Sequence, residues 1–333
     1  MPSRLILLKR DGLTTLQNIH EFLRPRCRFL SLLIVGHLLL GPILSDHLWM
    51  ELTTHFLPQE LLLLAALNAI LLLKSTRAAM LSIILILFMA LTGPVVVDAF
   101  TTEGPPESAL IKDREIRIIS INVLTSNPNK DQVREWIRNS LSASAPTVVV
   151  AQEVDGAWIT ALDALKEQLP HKAVLPREDN FGLAVYSSLP LQSPEFEALE
   201  PICDGPQFTG EVRLGETSIK IFGVHTLPPG PQTFAARNAC LIEIEKRAVE
   251  SQQAAIVAGD LNSSPWSKWF PKRLNDPFPH LFRRHTWSAF NGLISTSLDH
   301  VLSTSHFKAI RHSVGPDLGS DHRPVIVDLR LQK

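Results

Sequence analysis

Cysteine is scarce in this chain, with three in 333 residues, too few for a disulfide scaffold. Tyrosine occurs once, at Tyr186. No sign of charge prevails: 32 Lys and Arg face 33 Asp and Glu, so the overall field gives no help in binding a polyanion, which would need a local basic patch. The sequence has no glycine-rich dinucleotide signature, no phosphate loop, no HExxH helix and no internal repeat. What is there is apolar. At 45% hydrophobic residues, the composition excludes disorder and a coiled-coil fibre.

Charge is also missing by region. Residues 1–100 carry 8 basic and 6 acidic side chains, while residues 101–333 carry 24 and 27. Between Phe29 and Ile43 the sequence FLSLLIVGHLLLGPI has no charge, and neither has AAMLSIILILFMALTGPVVV from Ala78 to Val97. A third apolar block, LLLLAALNAILLL, runs from Leu61 to Leu73. A membrane span needs roughly 20 apolar residues. The 78–97 block meets that alone, the first meets it from Cys27 to Ser45, and the middle one places Glu60 at its interfacial end. The expectation is therefore about three transmembrane helices in a membrane region, 1–100, with the lipid bilayer as partner. Lys9, Arg10, Arg24, Arg26 and Arg28 precede the first block, Lys74 and Arg77 lie between the second and third, and the 46–60 loop has no Lys or Arg. The positive-inside bias puts the N-terminus and the 74–77 turn in the cytoplasm and everything after about residue 98 outside. That topology turns on whether the middle block crosses. His37 and Asn68 lie inside spans with no acidic partner expected at their depth, and read as packing residues.

Residues 101–112, beginning TTEGPPESAL, read as an exposed linker. From 113 to 333 helices alternate with strands. Strands are expected at 115–124, 147–154, 181–191, 254–262, 298–304 and 322–331, with a hairpin over 211–227 turning at Gly215-Glu216. Helices are expected at 129–141, 157–169 and 233–252. The alternation suggests a layered α/β sandwich.

These strands end in short polar clusters: Asn122; Gln152 and Glu153; His225; Asp260 and Asn262; Asp299-His300; Asp321-His322. Scattered through a core they would be costly. They make sense if the strand ends converge on a hydrated metal and an anionic substrate. Glu153, Asp260 and Asp321 are hard oxygen donors and Asn122 and Asn262 neutral ones, a set suited to Mg²⁺ or Mn²⁺.

The stretches SINVLTSN (120–127), AQEVDGAW (151–158), FGLAVYSSLPL (181–191), GVHTLPP (223–229), GDLNSSPW (259–266), LDHVL (298–302) and GSDHRPVIVDL (319–329) resemble the endonuclease/exonuclease/phosphatase superfamily. That superfamily comprises Mg²⁺-dependent phosphodiesterases, among them deoxyribonuclease I, abasic-site endonucleases and neutral sphingomyelinases. The membrane-anchored bacterial branch is the nearest likeness. The resemblance implies a four-layer α/β sandwich of deoxyribonuclease I type. It implies that Glu153, Asn122 and Asp321 surround the metal and that Asp260 orients or deprotonates the attacking water. Asn262 and His225 would contact the phosphate, and Asp299 would fix the ring of His322, itself a base or a phosphate donor. With the spans and charge bias read above, it implies a multi-pass protein of the bacterial inner membrane whose catalytic domain the positive-inside bias places on the extracytoplasmic side.

Gln152 and His300 read as supporting residues, and Arg237 as either a site residue or a solvated ion pair. The only tyrosine, in FGLAVYSS, reads as packing, which weakens an abasic-site endonuclease reading. The dibasic pairs Lys272-Arg273 and Arg283-Arg284 are weak signals for DNA. Nucleic acid is the first substrate expectation. A phospholipid or sphingolipid head group is the alternative, and an inactive interaction domain a second. No obligate protein partner is inferred. Cys203 and Cys240 could pair in an oxidising compartment, but spacing alone does not place them in reach.

Overall fold

The segment EIRIISIN holds four β-branched isoleucines, at 116, 118, 119 and 121, among Glu115, Arg117, Ser120 and Asn122. It forms strand β1, Glu115–Asn122, buried along its whole length. Burial on both faces is possible only if each face is covered by another layer. The computed structural model shows those layers. It describes residues 2–72, 114–198, 203, 205–277, 285–289 and 295–332, with the backbone alone for 2–20 and 42. The chain divides into two compact units, Met1–Gly93 and Pro94–Lys333.

In the second unit, β1 pairs in parallel with β2 (Thr147–Gln152), Asn122 lying opposite Gln152. Strands β3 (His171–Leu175) and β4 (Leu183–Ser187) extend that side of the sheet, and β10 (Phe307–Val314) and β11 (Val325–Leu331) the other. The order is β10-β11-β1-β2-β4-β3. A second sheet has the order β5-β6-β7-β8-β9, built from Gln192–Ala198, Pro206–Leu214, Thr217–His225, Ala254–Asp260 and Asp299–Ser303. Alternate residues of each strand point to opposite faces. Ile116, Ile118, Val148 and Val150 meet Phe208, Val212, Ile221 and Ile256 between the sheets. Ile119, Ile121 and Val149 point outward, onto Val133 and Ile137 of helix α4 (Lys130–Ser140) and Trp158 and Leu162 of α5 (Gly156–Leu162). On the far side, Phe222, Val224 and Val257 pack on Leu241 and Ile244 of α6 (Phe234–Glu250). The result is a four-layer α/β/β/α sandwich.

The elements depart from the expected ones at the edges. The last strand starts at Val325 rather than 322, because Pro324 has no N–H to give to a ladder and residues 321–322 are held in the site instead. The second helix stops at Leu162 and continues only as a 3₁₀ turn, Asp163–Leu165. Strands β3, β5 and β10 have no counterpart in the expectation. They are edge or near-edge strands whose half-exposed, mixed sequences show no clean alternation. Cys203 and Cys240 form a disulfide with Cα atoms 4.8 Å apart.

The first unit holds α1 (Pro2–Leu44), α2 (Leu48–Thr54) and α3 (Leu57–Leu72). Among the described residues no single helix is long and apolar enough to cross a membrane, so three crossing helices are not what they show. The pair α2 and α3, bent by 72°, passes that test together. Helix α1 carries its apolar stretch in one half only, with Arg24, Arg26 and Arg28 on the same helix. The 78–97 block and the linker lie outside the described residues. Phe29, Leu32, Leu33, Leu39, Leu40 and Ile43 of α1 are exposed. His37 does have an acidic partner, contrary to expectation: its Nδ1 lies 2.8 Å from Glu60 Oε2, and Thr53 Oγ1 is 2.7 Å from its Nε2. Asn68 donates to the Leu64 carbonyl at 2.8 Å.

The disulfide closes a loop of sequence separation 37, a constraint worth about 4 kcal/mol on the unfolded chain. Replacing both cysteines by Ala, or adding a thiol reductant, is expected to lower the melting temperature by roughly 10 °C. Calorimetry of oxidised and reduced protein checks this, and coincident transitions would show that the loop is held by other interactions.

Candidate active site

The candidate side chains sit at or just beyond strand ends, except Asp321 and His322, which lie in the loop before β11. Asn122 ends β1. Glu153 follows β2 directly, with left-handed backbone at φ 61°. His225 ends β7 and Asp260 ends β8, opposite one another in register, and Asp299 opens β9 opposite Asp260. Because the sheets pack face to face, these ends meet. Gly259 makes the approach possible: its φ is +150°, and a Cβ there would fall 1.8 Å from the Val224 carbonyl oxygen. No other residue places Asp260 here without moving β7.

Asp260 is the centre. Its Oδ1 accepts the backbone N–H of Asn262 at 2.8 Å and its Oδ2 accepts from Asn122 Nδ2 at 3.2 Å. The same Asn122 amide donates to Glu153 Oε1 at 2.9 Å, linking the two carboxylates. His322 Nε2 lies 3.6 Å and His225 Nε2 3.8 Å from Asp260 Oδ2. His322 Nδ1–H donates to Asp299 Oδ2 at 2.8 Å, which fixes the ring. Asn262, at φ 45°, donates from its amide to the Thr226 carbonyl at 2.8 Å. Glu153 and Asn262 thus both hold left-handed backbone, strain of order 1–3 kcal/mol each that clusters at functional sites. Asp321 stands slightly apart. Its Oδ2 accepts from the Trp287 indole N–H at 3.2 Å, and its charge still reaches both Glu153 and His322.

Burial sets the protonation. It raises the carboxyl of Glu153 above the usual range, against the opposing hydrogen bond from Asn122. Burial raises Asp260 as well, against the pull of His322. For His225, burial lowers the imidazole pKa. For His322, burial works against the charged ring, but the Asp299 and Asp260 carboxylates overcome it and hold the pKa up to about 10.

Sequence reasoning missed several supporting groups. Ser320 Oγ donates to the Asn122 carbonyl at 2.8 Å and accepts the His322 N–H at 3.1 Å, tying the terminal motif to β1. Thr286 Oγ1 accepts the N–H groups of Leu298 and Asp299. Gln207 bonds both backbone groups of His225. Thr125 Oγ1 donates to the Glu153 carbonyl. Ser320 and Thr125 lie inside stretches that carry the family resemblance, whereas Gln207, Thr286 and Trp287 belong to no pattern that spacing reveals. Among those expected to support, His300 Nε2 meets the carbonyls of Ser263 and Ser297 at 2.9 and 3.2 Å. Gln152 is buried against Val150, and buried Arg237 reaches the Asn262 carbonyl at 3.4 Å.

A family model described as "Endonuclease/Exonuclease/phosphatase family" matches residues 119–322. The chain belongs to that family. It is a metal-dependent phosphoric ester hydrolase of mixed α/β, deoxyribonuclease I-like fold. Solved structures share the fold at low identity. Truncated TDP2 from Caenorhabditis elegans has a TM-score of 0.56 and 14% identity, over 66% of this chain and 100% of that one. The endonuclease/exonuclease/phosphatase from Beutenbergia cavernae has a TM-score of 0.51 and 21% identity, over 66% and 72%. That from Bacteroides vulgatus has 0.52 and 16%, over 66% and 99%. No curated protein matches the sequence.

The family uses divalent metals, and the residues present fit one. Among the described residues, Glu153 Oε2, Asp299 Oδ1 and Asp321 Oδ1 are buried with no hydrogen-bond partner. Ligand atoms of Asp260, Asp299 and His322 lie within 4.8 Å of one another. Buried carboxylate oxygens with spare lone pairs call for a cation. Asp299 is thus placed both to orient His322 and to offer an oxygen.

In metal-free protein, Asp299→Asn is expected to bring the His322 pKa down from about 10, because the nearest stabilising carboxylate is gone. Following the imidazole Cε1–H by NMR against pH checks it. An unchanged midpoint would assign the elevation to Asp260 alone.

Proposed function

We propose that the protein is a membrane-tethered, Mg²⁺-dependent phosphodiesterase that cleaves nucleic acid by attack of water. The observation that carries this is Asp260, a buried carboxylate made more basic by burial and flanked by two imidazoles and the Asn122 amide. A carboxylate of raised pKa is a better proton acceptor at neutral pH. Asp260 takes a proton from the water as its oxygen bonds to phosphorus and the ester P–O bond breaks. His322, charged through its pairing with Asp299, donates a hydrogen bond to the phosphate oxygens as negative charge builds on them. His225, opposite Asp260 in register, and Asn262, just past the end of β8, would hold a non-bridging oxygen. Glu153, Asn122 and Asp321 would hold the metal. When bound, the ion polarises the phosphate oxygen and neutralises its charge, and the all-oxygen donor set favours Mg²⁺, with Mn²⁺ the substitute.

Two features support the tether and an extracytoplasmic domain. The exposed apolar side chains of α1 between Phe29 and Ile43 suit lipid rather than water. The Cys203–Cys240 disulfide suits an oxidising compartment. The same apolar helix favours a second reading, hydrolysis of a lipid head group, since a tether holds membrane substrate at high local concentration. An inactive interaction domain fits poorly, because unpaired buried carboxylates cost stability without a cation.

The full chain in detergent is offered plasmid DNA, RNA, a phospholipid panel and bis-4-nitrophenyl phosphate, with Mg²⁺ or chelator. Cleavage of DNA or RNA is expected with Mg²⁺ only. Cleavage of lipid alone replaces the first reading by the second, and no turnover at all returns the binding module. Glu153→Gln is expected to abolish metal-dependent turnover, and His322→Ala to slow it by about 10²–10³-fold while the melting curve stays cooperative. If both variants keep wild-type rates, the site lies elsewhere.

For topology, a reporter fused to Lys333 and active only outside the cytoplasm is the expected result. Activity only in the cytoplasm refutes the orientation.

A further inference from the structure

The two histidines at Asp260 are held in different ways. The His322 ring is fixed by its hydrogen bond to Asp299. The His225 ring has none: its Nδ1 is buried without a partner, and its Nε2 stands 3.8 Å from Asp260 Oδ2, beyond hydrogen-bond length. Gln207 secures only the backbone of His225. The torsion that turns an imidazole is broad, so something else must set the ring plane.

That neighbour is Phe181. Its ring stacks on the His225 imidazole with centroids 5.1 Å apart and planes inclined by 30°. Behind it lies the backbone at Gly205, where a Cβ would be 3.9 Å from Phe181 Cδ1. Phe181 is itself anchored. Its N–H donates to Asp179 Oδ1 at 3.2 Å. The next residue, Gly182, accepts the Val154 N–H at 3.2 Å, and the Val154 carbonyl accepts the Arg177 N–H at 3.0 Å. A Cβ at Gly182 would fall 1.8 Å from that carbonyl oxygen, so only glycine lets the loop come close enough to make these bonds. Val154 adjoins Glu153. The loop therefore carries one ring from the Glu153 side of the cleft to the His225 side.

We propose that Phe181 is a positioning residue for the phosphodiesterase reaction, its ring setting the plane of the His225 imidazole that meets the phosphate. The proposal rests on the phosphodiesterase reading above. A tilted imidazole still admits substrate but points its nitrogen away from the reacting phosphate, so the loss falls on kcat and not on KM.

Phe181→Leu and Phe181→Tyr are compared with wild type as full chains in detergent, on bis-4-nitrophenyl phosphate with Mg²⁺. Phe181→Leu is expected to lower kcat by about ten- to a hundredfold with KM nearly unchanged, and Phe181→Tyr, which keeps the stacked ring, to restore most of it. In the same proteins without substrate, the NOE signals from His225 Cε1–H to its own backbone, which report the ring torsion free of ring-current effects, are expected to change in Phe181→Leu and to stay in Phe181→Tyr. Wild-type kcat in Phe181→Leu overturns the proposal and leaves the phosphodiesterase reading intact. So does a Phe181→Tyr enzyme as slow as Phe181→Leu, since any change at the loop would then suffice, and so does a His225 signal indifferent to both. A wild-type protein inert toward every phosphodiester overturns the function and this role together.

Discussion

Burying carboxylates beside one another is the condition around which the catalytic unit is organised. Asp260 and Asp299 are 1% and 2% exposed and face each other across adjacent strands, with Glu153 joined to Asp260 through a single amide. Nothing about hydrophobic burial favours such a cluster, and desolvation works against each charge in it. Only side chains fixed in advance make it tolerable. Gly259 lets β8 pass close to β7. Ser320 ties the terminal histidine to the backbone of Asn122, far away in sequence, and the Thr286 hydroxyl holds the backbone of Asp299. The imidazolium of His322 supplies a counter-charge to Asp260 and Asp299.

The second cost is conformational. Glu153 and Asn262 both leave their strands through left-handed backbone, which glutamate in particular adopts reluctantly. After these turns the Glu153 carboxylate meets the Asn122 amide and the Asn262 amide meets the Thr226 carbonyl. A residue in regular extended conformation at either place would point into the core or out toward a helix layer.

Much of this was legible in the sequence because strand-end polar residues break an otherwise apolar pattern. Asn122, Glu153, His225, Asp260, Asn262, Asp299 and His322, far apart in the chain, are gathered around one point. Central strands were legible for the same reason, since β2 and β8 are continuous apolar runs ending in polar residues and β1 alternates around four isoleucines. The edge strands were not, because half-exposed Lys, Glu and His interrupt β3, β5 and β10 without a strict alternation. Gln207 and Thr286 act through backbone hydrogen bonds, which leave no trace in residue spacing. The Cys203–Cys240 bridge needed coordinates, because 37 residues of separation are compatible with any distance. In the first unit, the His37–Glu60 pair was hidden by an assumption about depth: the bend before α3 brings Glu60 to the middle of α1's apolar half.

Strand β1 opens the catalytic unit and lies in the middle of its sheet, with β11 as one of its two partners. The bidentate Arg117–Asp328 ion pair across that seam joins residues 211 apart. The sheet therefore cannot be completed until the late segment of the chain has been synthesised, and that same segment delivers His322. A nascent or prematurely cut chain lacks the seam and the histidine together, and leaves a flank of β1 open to foreign strands. For a phosphoric ester hydrolase, this coupling means that the hydrolytic site is not assembled before the segment that forms β11 has been made.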